Sequence, residues 1–152
     1  MWGREGMINM QIREIKETDF ESGAKGLMAA FKEVPWNENW TFEEAFLRID
    51  ELMASRMSRG YVIEEDDKVI GMCIGRLMTY TGFRELWVDE FSIHPEHQSQ
   101  GLGRKLLDYA KQEVAKEGIT NLCLTTIKGY PAVEFYQKNG FKPSETVLFM
   151  HT

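Results

Sequence analysis

The chain is short of the residues that build specialised scaffolds. It has only two cysteines, Cys73 and Cys123, far apart and both in apolar strand-like runs. Two cysteines cannot frame a disulfide-stapled domain or make a zinc site alone. They read as reduced core thiols of a cytoplasmic protein. Basic residues are in deficit, since 18 Lys and Arg against 24 Asp and Glu leave a net charge of −6. That argues against a nucleic-acid partner, which would call for a basic face. No run approaches the ~20 apolar residues of a membrane span. The N-terminus lacks the basic region and apolar core of a secretory leader. His94 and His97 have no nearby third ligand, so no metal is expected. There is no repeat and no linker, and 152 residues suit one domain. Residues 1–9 fit no periodic pattern and read as an extension, disordered or non-native.

What is present alternates between strand and helix patterns. Met10–Ile15 reads as a strand. Asp19 is expected to cap a helix through Lys32, with Phe20, Ala24, Leu27 and Phe31 at helical spacing. After a break at Pro35–Trp40, Thr41 and Glu44 form a capping-box pattern. Phe42, Ala45, Phe46, Ile49, Leu52 and Met53 then mark a second helix, expected to end at Gly60. Tyr61–Glu64 and Val69–Met78 read as an antiparallel hairpin. Leu86–Ile93 reads as a strand stopped by His94-Pro95. Gly101–Glu117 is a strongly amphipathic helix closed by Gly118. Asn121–Thr126 is a strand, Pro131–Asn139 a helix, and Val147–Met150 a last strand. The order predicts an α/β domain with a mixed sheet flanked by helices.

The stretch from Phe91 to Arg104 carries the chemistry. A strand ends at Pro95, a polar loop follows, and Gly101 and Gly103 open a helix. The first N–H groups of a helix lack internal partners, and its dipole favours an anion there. Glycines let a phosphate approach the backbone. Packing glycines at a plain helix start would give the same spacing. A Walker loop is excluded by the missing Gly-Lys-Ser/Thr, and a dinucleotide fingerprint by the missing third glycine.

Gln98-x-x-Gly101-x-Gly103 resembles the Gln/Arg-x-x-Gly-x-Gly/Ala motif of the GNAT acetyltransferases. Ala132-Val-Glu-Phe135-Tyr136-Gln-Lys-Asn-Gly140-Phe141 resembles a second segment of that family, in the same order and at a similar separation. The resemblance spans Met10 to Met150, by element order alone in the first third. It implies the GNAT fold, with a mostly antiparallel sheet, and acetyl-CoA as cosubstrate. It also implies a cofactor site of Phe91, Ser92, Ile93, Gln98, Ser99, Gln100, Gly101, Leu102, Gly103, Arg104, Ala132 and Phe135. The pantetheine arm would run along Phe91–Ile93, and a main-chain N–H near Phe91 would polarise the acetyl carbonyl. A family asparagine is replaced here by Gly129, so Thr125 or Thr126 is expected to serve the arm instead.

The same resemblance gives Tyr136 the role of proton donor to the departing sulfur. Asp89 or Glu90 would order the water that deprotonates the amine, and similarity to polyamine and aminoglycoside enzymes favours Asp89. Alternation along a strand sends these two side chains to opposite faces. Trp36, Glu38 and Trp40 could embrace an amine by charge and cation–π contact, with Tyr80 beside them. The expected acceptor is a small cationic amine, aminoglycoside- or polyamine-like, or a peptide amine. Family members are often homodimers. The alternative on the same fold is a non-catalytic acyl-CoA-binding sensor or partner subunit.

Overall fold

A computed structural model describes residues 9–152. The expected extension at residues 1–9 lies, Asn9 apart, outside the described residues. Five strands form one sheet in the order β1-β2-β3-β4-β5: β1 (Met10–Glu14), β2 (Ser58–Glu65), β3 (Lys68–Tyr80), β4 (Phe83–Ile93) and β5 (Asn121–Leu124). The first three pairings are antiparallel and β4–β5 is parallel. The helices are α1 (Phe20–Lys32), α2 (Phe42–Leu52), α3 (Leu102–Ala115) and α4 (Pro131–Lys138). This is the mixed sheet with flanking helices that the element order predicts, and it is mostly antiparallel, as the resemblance implies. Among the described residues no helix is long and apolar enough to cross a membrane.

Local chemistry accounts for most element ends. The Thr41 hydroxyl accepts the Glu44 N–H at 3.1 Å and starts α2. Asp66 and Asp67 sit at φ 48° and 66°, so the β2–β3 turn has the two left-handed residues that a two-residue hairpin favours, without Asn-Gly. Gly118, at φ 82°, closes α3, and the Ile119 N–H reaches the Val114 carbonyl.

Alternate strand residues feed two cores. On one face Tyr61, Ile63, Cys73, Leu86 and Val88 pack with Leu106, Ala110 and Val114 of α3. On the other, Val62, Met72 and Ile74 meet Ala24 and Leu27 of α1 and Ala45 and Ile49 of α2. Each fully buried Leu, Ile or Val contributes ~1.5–3 kcal/mol relative to exposure.

Three expectations are corrected. Gly60 does not end a helix: α2 stops at Leu52 and Gly60 lies inside β2, where a Cβ would collide with Ile15 and Met53. Asp19 precedes α1 but does not cap it with its side chain. Its carboxylate instead accepts a fork from Arg13, both bonds at 2.8 Å, and the Lys16 N–H at 2.7 Å. Val147–Met150 is not a strand. The Ser144 hydroxyl takes the Thr146 and Val147 N–H groups in a local turn, which withdraws them from any ladder. The four residues are left 69–78% exposed.

Candidate active site

The site begins at an irregularity in β4. Glu90 lies opposite Ile74 and Val88 opposite Gly75, so Asp89 is an extra residue, a β-bulge. Gly75 permits the close approach, since a Cβ there would run into the Trp87 carbonyl. The bulge resets the alternation: Leu86 and Val88 before it, and Phe91 and Ile93 after it, all join the α3-side core. The expectation that Asp89 and Glu90 face opposite ways is therefore corrected, and both line one cleft.

The parallel pairing of β5 ends at Val88↔Leu124, while β4 continues to Ile93. Past that point the two strands part. The β5 side of Asp89–Ile93 has no ladder partner among the described residues, and a cleft of about 1030 Å³ opens there.

At one end of the cleft lies the glycine-opened helix. Ser99 and Gly101 are left-handed, at φ 64° and 76°, and among the described residues no side chain caps α3. The amides of its first turn therefore remain available. Gln98, Ser99, Gly101, Leu102, Gly103 and Arg104 line this end. Gly103 packs under Phe135, where a Cβ would come within 3.1 Å of the ring. The Gln98 side chain donates to the Ile93 carbonyl at 3.0 Å, so it braces the loop. Gln100, between Ser99 and Gly101, is exposed and lies outside the lining. His97 also lines the cleft, 2.7 Å from Glu65 through Nε2, whereas His94 does not. Phe91, Ser92, Ile93, Thr125, Thr126, Ala132 and Phe135 line the middle.

Tyr136 projects from α4 into the same cleft, its ring edge-on to Phe91 at 6.1 Å and to Phe141 at 5.6 Å. Burial pushes its phenol well above the usual range, so the proton stays on. Glu90 is 8% exposed. Burial raises its carboxyl above the ordinary range, and Arg48 of α2, with Nε 3.2 Å from Oε2, opposes the rise. Asp89 is held differently, by an Arg76 fork at 2.7 and 2.8 Å. The Cys73 and Cys123 thiols are both pushed up to about 12, chiefly by burial, so neither is a ready nucleophile.

Beyond the carboxylates, Trp36, Glu38 and Trp40 line the cleft. The Trp36 ring sits edge-on between Phe31 at 5.2 Å and Tyr130 at 4.9 Å, joining the α1–α2 and β5–α4 loops. The Trp40 indole N–H donates to Glu38 at 2.8 Å. Tyr80 is not part of this group. It ends the β3–β4 hairpin, half exposed and stacked on Phe83, because both strands run on past the bulge and carry it away. Arg48 and Phe149 line the cleft without having been anticipated. Arg48 meets Glu90 across 42 positions, and Phe149 belongs to the segment misread as a strand, so no local signal marked either.

A bulged strand, a diverging parallel neighbour and a glycine-opened helix meet around one cleft, with the two segments that resemble the acetyltransferase motifs on its walls. The model of the acetyltransferase (GNAT) domain matches residues 56–143, and the chain belongs to that family. No curated protein sequence matches it. Among solved structures, a possible acetyltransferase from Clostridium difficile 630 is similar at 19% identity and a TM-score of 0.79, covering 94% of this chain and 97% of the other. A transcriptional regulator from Bacillus halodurans C-125 shares 25% identity, with a TM-score of 0.75 and coverage of 95% and 100%. The aminoglycoside N-acetyltransferase AAC(6')-Iy, solved with CoA, shares 14% identity, with a TM-score of 0.75 and 96% of each chain covered. The protein is a GNAT N-acetyltransferase.

Proposed function

We propose that the protein transfers an acetyl group from acetyl-CoA directly to a primary amine of a small acceptor that arrives as an ammonium ion. The observation that carries this reading is the single cleft, which joins the glycine-opened start of α3 to the parted β4 edge and to Glu90 and Tyr136. The residues present fit the cosubstrate. Free first-turn amides and left-handed Ser99 and Gly101 suit a diphosphate. The unpaired edge at Phe91–Ile93 suits an arm that carries amides. When bound, acetyl-CoA supplies the acetyl thioester.

The chain's own groups do the rest. Glu90, directly or through one water, takes the proton that the ammonium must lose. Main-chain N–H groups near Phe91, on the β4 edge that β5 leaves without a ladder partner, donate to the carbonyl oxygen as it gains charge. Tyr136 gives its proton to the departing sulfur. The C–N bond forms and the C–S bond breaks, the second proton leaving the nitrogen restores the Tyr136 hydroxyl, and the products are an N-acetyl amine, CoA thiol and the proton that Glu90 passes on to water. The raised thiols of Cys73 and Cys123 support transfer without an acetyl-cysteine. Geometry favours Glu90 over Asp89 as base, because the Arg76 fork holds the Asp89 carboxylate.

The acidic groups Glu33, Glu38 and Glu90 in the lining favour an ammonium acceptor. AAC(6')-Iy, by its name an aminoglycoside N-acetyltransferase, is a precedent for an amine acceptor on this fold. The test is thiol release from acetyl-CoA across a broad amine panel, run beside a thermal-shift titration with acetyl-CoA. Stabilisation and amine-dependent release are expected. Stabilisation with no release from any amine would instead make the chain a binding module.

A further inference from the structure

Arg48 has a setting that the proposed chemistry does not use. Among the described residues it is the cation that lines the acceptor half of the cleft, beside Glu33, Glu38, Asp89 and Glu90. Arg104 and His97 stand at the α3 end. The other well-placed arginines fork onto carboxylates: Arg13 on Asp19 at 2.8 and 2.8 Å, Arg59 on Glu117 at 2.9 and 2.7 Å, and Arg76 on Asp89 at 2.7 and 2.8 Å. Arg48 does not. Its Nε is 3.2 Å from Glu90, its Nη2 is 3.4 Å from the Asp89 carbonyl, and no hydrogen bond engages Nη1 among the described residues. Both contacts are long for a charge-assisted bond. The side chain is 43% exposed, while the carboxylate it touches is 8% exposed. A guanidinium that served only to neutralise Glu90 would do so better as a buried fork, as Arg13 does for Asp19.

We infer that Arg48 binds a carboxylate of the acceptor, and that the acceptor is an amino acid or a close relative with its carboxylate near the acetylated amine. The inference rests on the transferase reading above and narrows it. A polycation reaching for Glu90 would push an ammonium against the guanidinium beside it, and like charges so placed are unfavourable. A neighbouring carboxylate turns that repulsion into a two-bond grip on the Nη1–Nη2 edge, the geometry guanidinium matches best. Glu38 and Glu90 then face the ammonium and Arg48 the acid. Because Arg48 touches Glu90, the two charges of the acceptor must be close together, as in an α-amino acid.

The test uses the full chain, acetyl-CoA and matched triples: leucine, leucinamide and 3-methylbutylamine, then lysine, lysinamide and 1,5-diaminopentane, with spermidine and kanamycin alongside. Thiol release should show kcat/KM for the acids about tenfold or more above their amides and amines, the size expected of a charge-assisted contact. Arg48→Gln should collapse that ratio toward one, chiefly through the KM of the acids, and Arg48→Lys should restore part of it. Equal turnover of all three members of a triple would overturn the inference, as would an Arg48→Gln loss that falls on them alike. Turnover of spermidine or kanamycin alone would also overturn it, with the transferase reading intact. Acetyl-CoA binding without release from any compound would remove both.

Discussion

Glu90 carries a charge that its surroundings resist. Burial raises its carboxyl, Arg48 offsets part of the rise, and Glu38 and Asp89 add to it. A group that must accept a proton benefits from such a shift, because its pKa moves toward working pH. The rate should therefore climb with pH as Glu90 ionises. Glu90→Gln should lower kcat/KM by roughly 10²-fold and erase that limb, while Asp89→Asn should cost less. The same variant tests the assignment through stability. Below the unfolded carboxylate range both states hold the proton and Glu90 imposes no penalty. As pH rises through that range and then through the folded value, the native state loses stability. Thermal melts should show Glu90→Gln more stable than the parent at neutral pH, with the gain fading in acid. Tyr136 has the opposite task of keeping its proton, and burial secures this. Tyr136→Phe should lower kcat by roughly 10²-fold, read by steady-state kinetics. Calorimetry should find acetyl-CoA affinity nearly unchanged, and an equal loss of affinity would contradict the proton-donor role.

The start of α3 makes a prediction of its own, because its conformation and its openness separate cleanly. Gly101 is left-handed at φ 76°, and an added Cβ would meet nothing within 4 Å. Gly101→Ala therefore costs only backbone strain, about 1–2 kcal/mol by denaturant unfolding. If Gly101 shapes an anion cradle, acetyl-CoA affinity should fall with it in a calorimetric titration. Gly103→Ala works by another route, pressing on the Phe135 ring at 3.1 Å. What was legible in the sequence at this scale is what neighbouring residues decide. The Thr41–Glu44 start of α2, the Gly118 end of α3, and the loop from Gln98 to Gly103 all follow from residues a few positions apart. What was not legible depends on pairing. The bulge at Asp89 exists because β3 offers Gly75 opposite it, and no pattern within β4 announces that. The alternation argument failed there for that reason. Val147–Met150 has the composition of a strand, but a strand also needs a partner, and the Ser144 turn takes its first amide, that of Val147, locally.

At the scale of the whole molecule, two helical layers grip one sheet, and β1 at its edge is tied in by charge. Arg13 of β1 reaches Asp19 at the entry to α1 and Glu64 of β2, so one guanidinium links three parts of the fold. Burial alone would push the Asp19 carboxyl up, but the Arg13 hydrogen bonds and the Lys16 N–H outweigh it and the net shift is down. Glu64 shifts down too, chiefly through its Arg13 hydrogen bond. A carboxylate depressed in the folded state contributes stability above its unfolded pKa and loses it as pH falls through the folded value. Acid should therefore loosen this edge first, while the penalty at Glu90 moves the opposite way and cannot compensate β1. Asp19→Asn keeps the shape but removes the charge, and should cost about 2 kcal/mol at neutral pH, the usual worth of a charged hydrogen-bonded contact. Urea melts from neutral to acid pH should show the variant and parent converging as pH drops below the folded pKa of Asp19. A difference that stayed constant across that range would show that the three-way link acts by shape and not by charge.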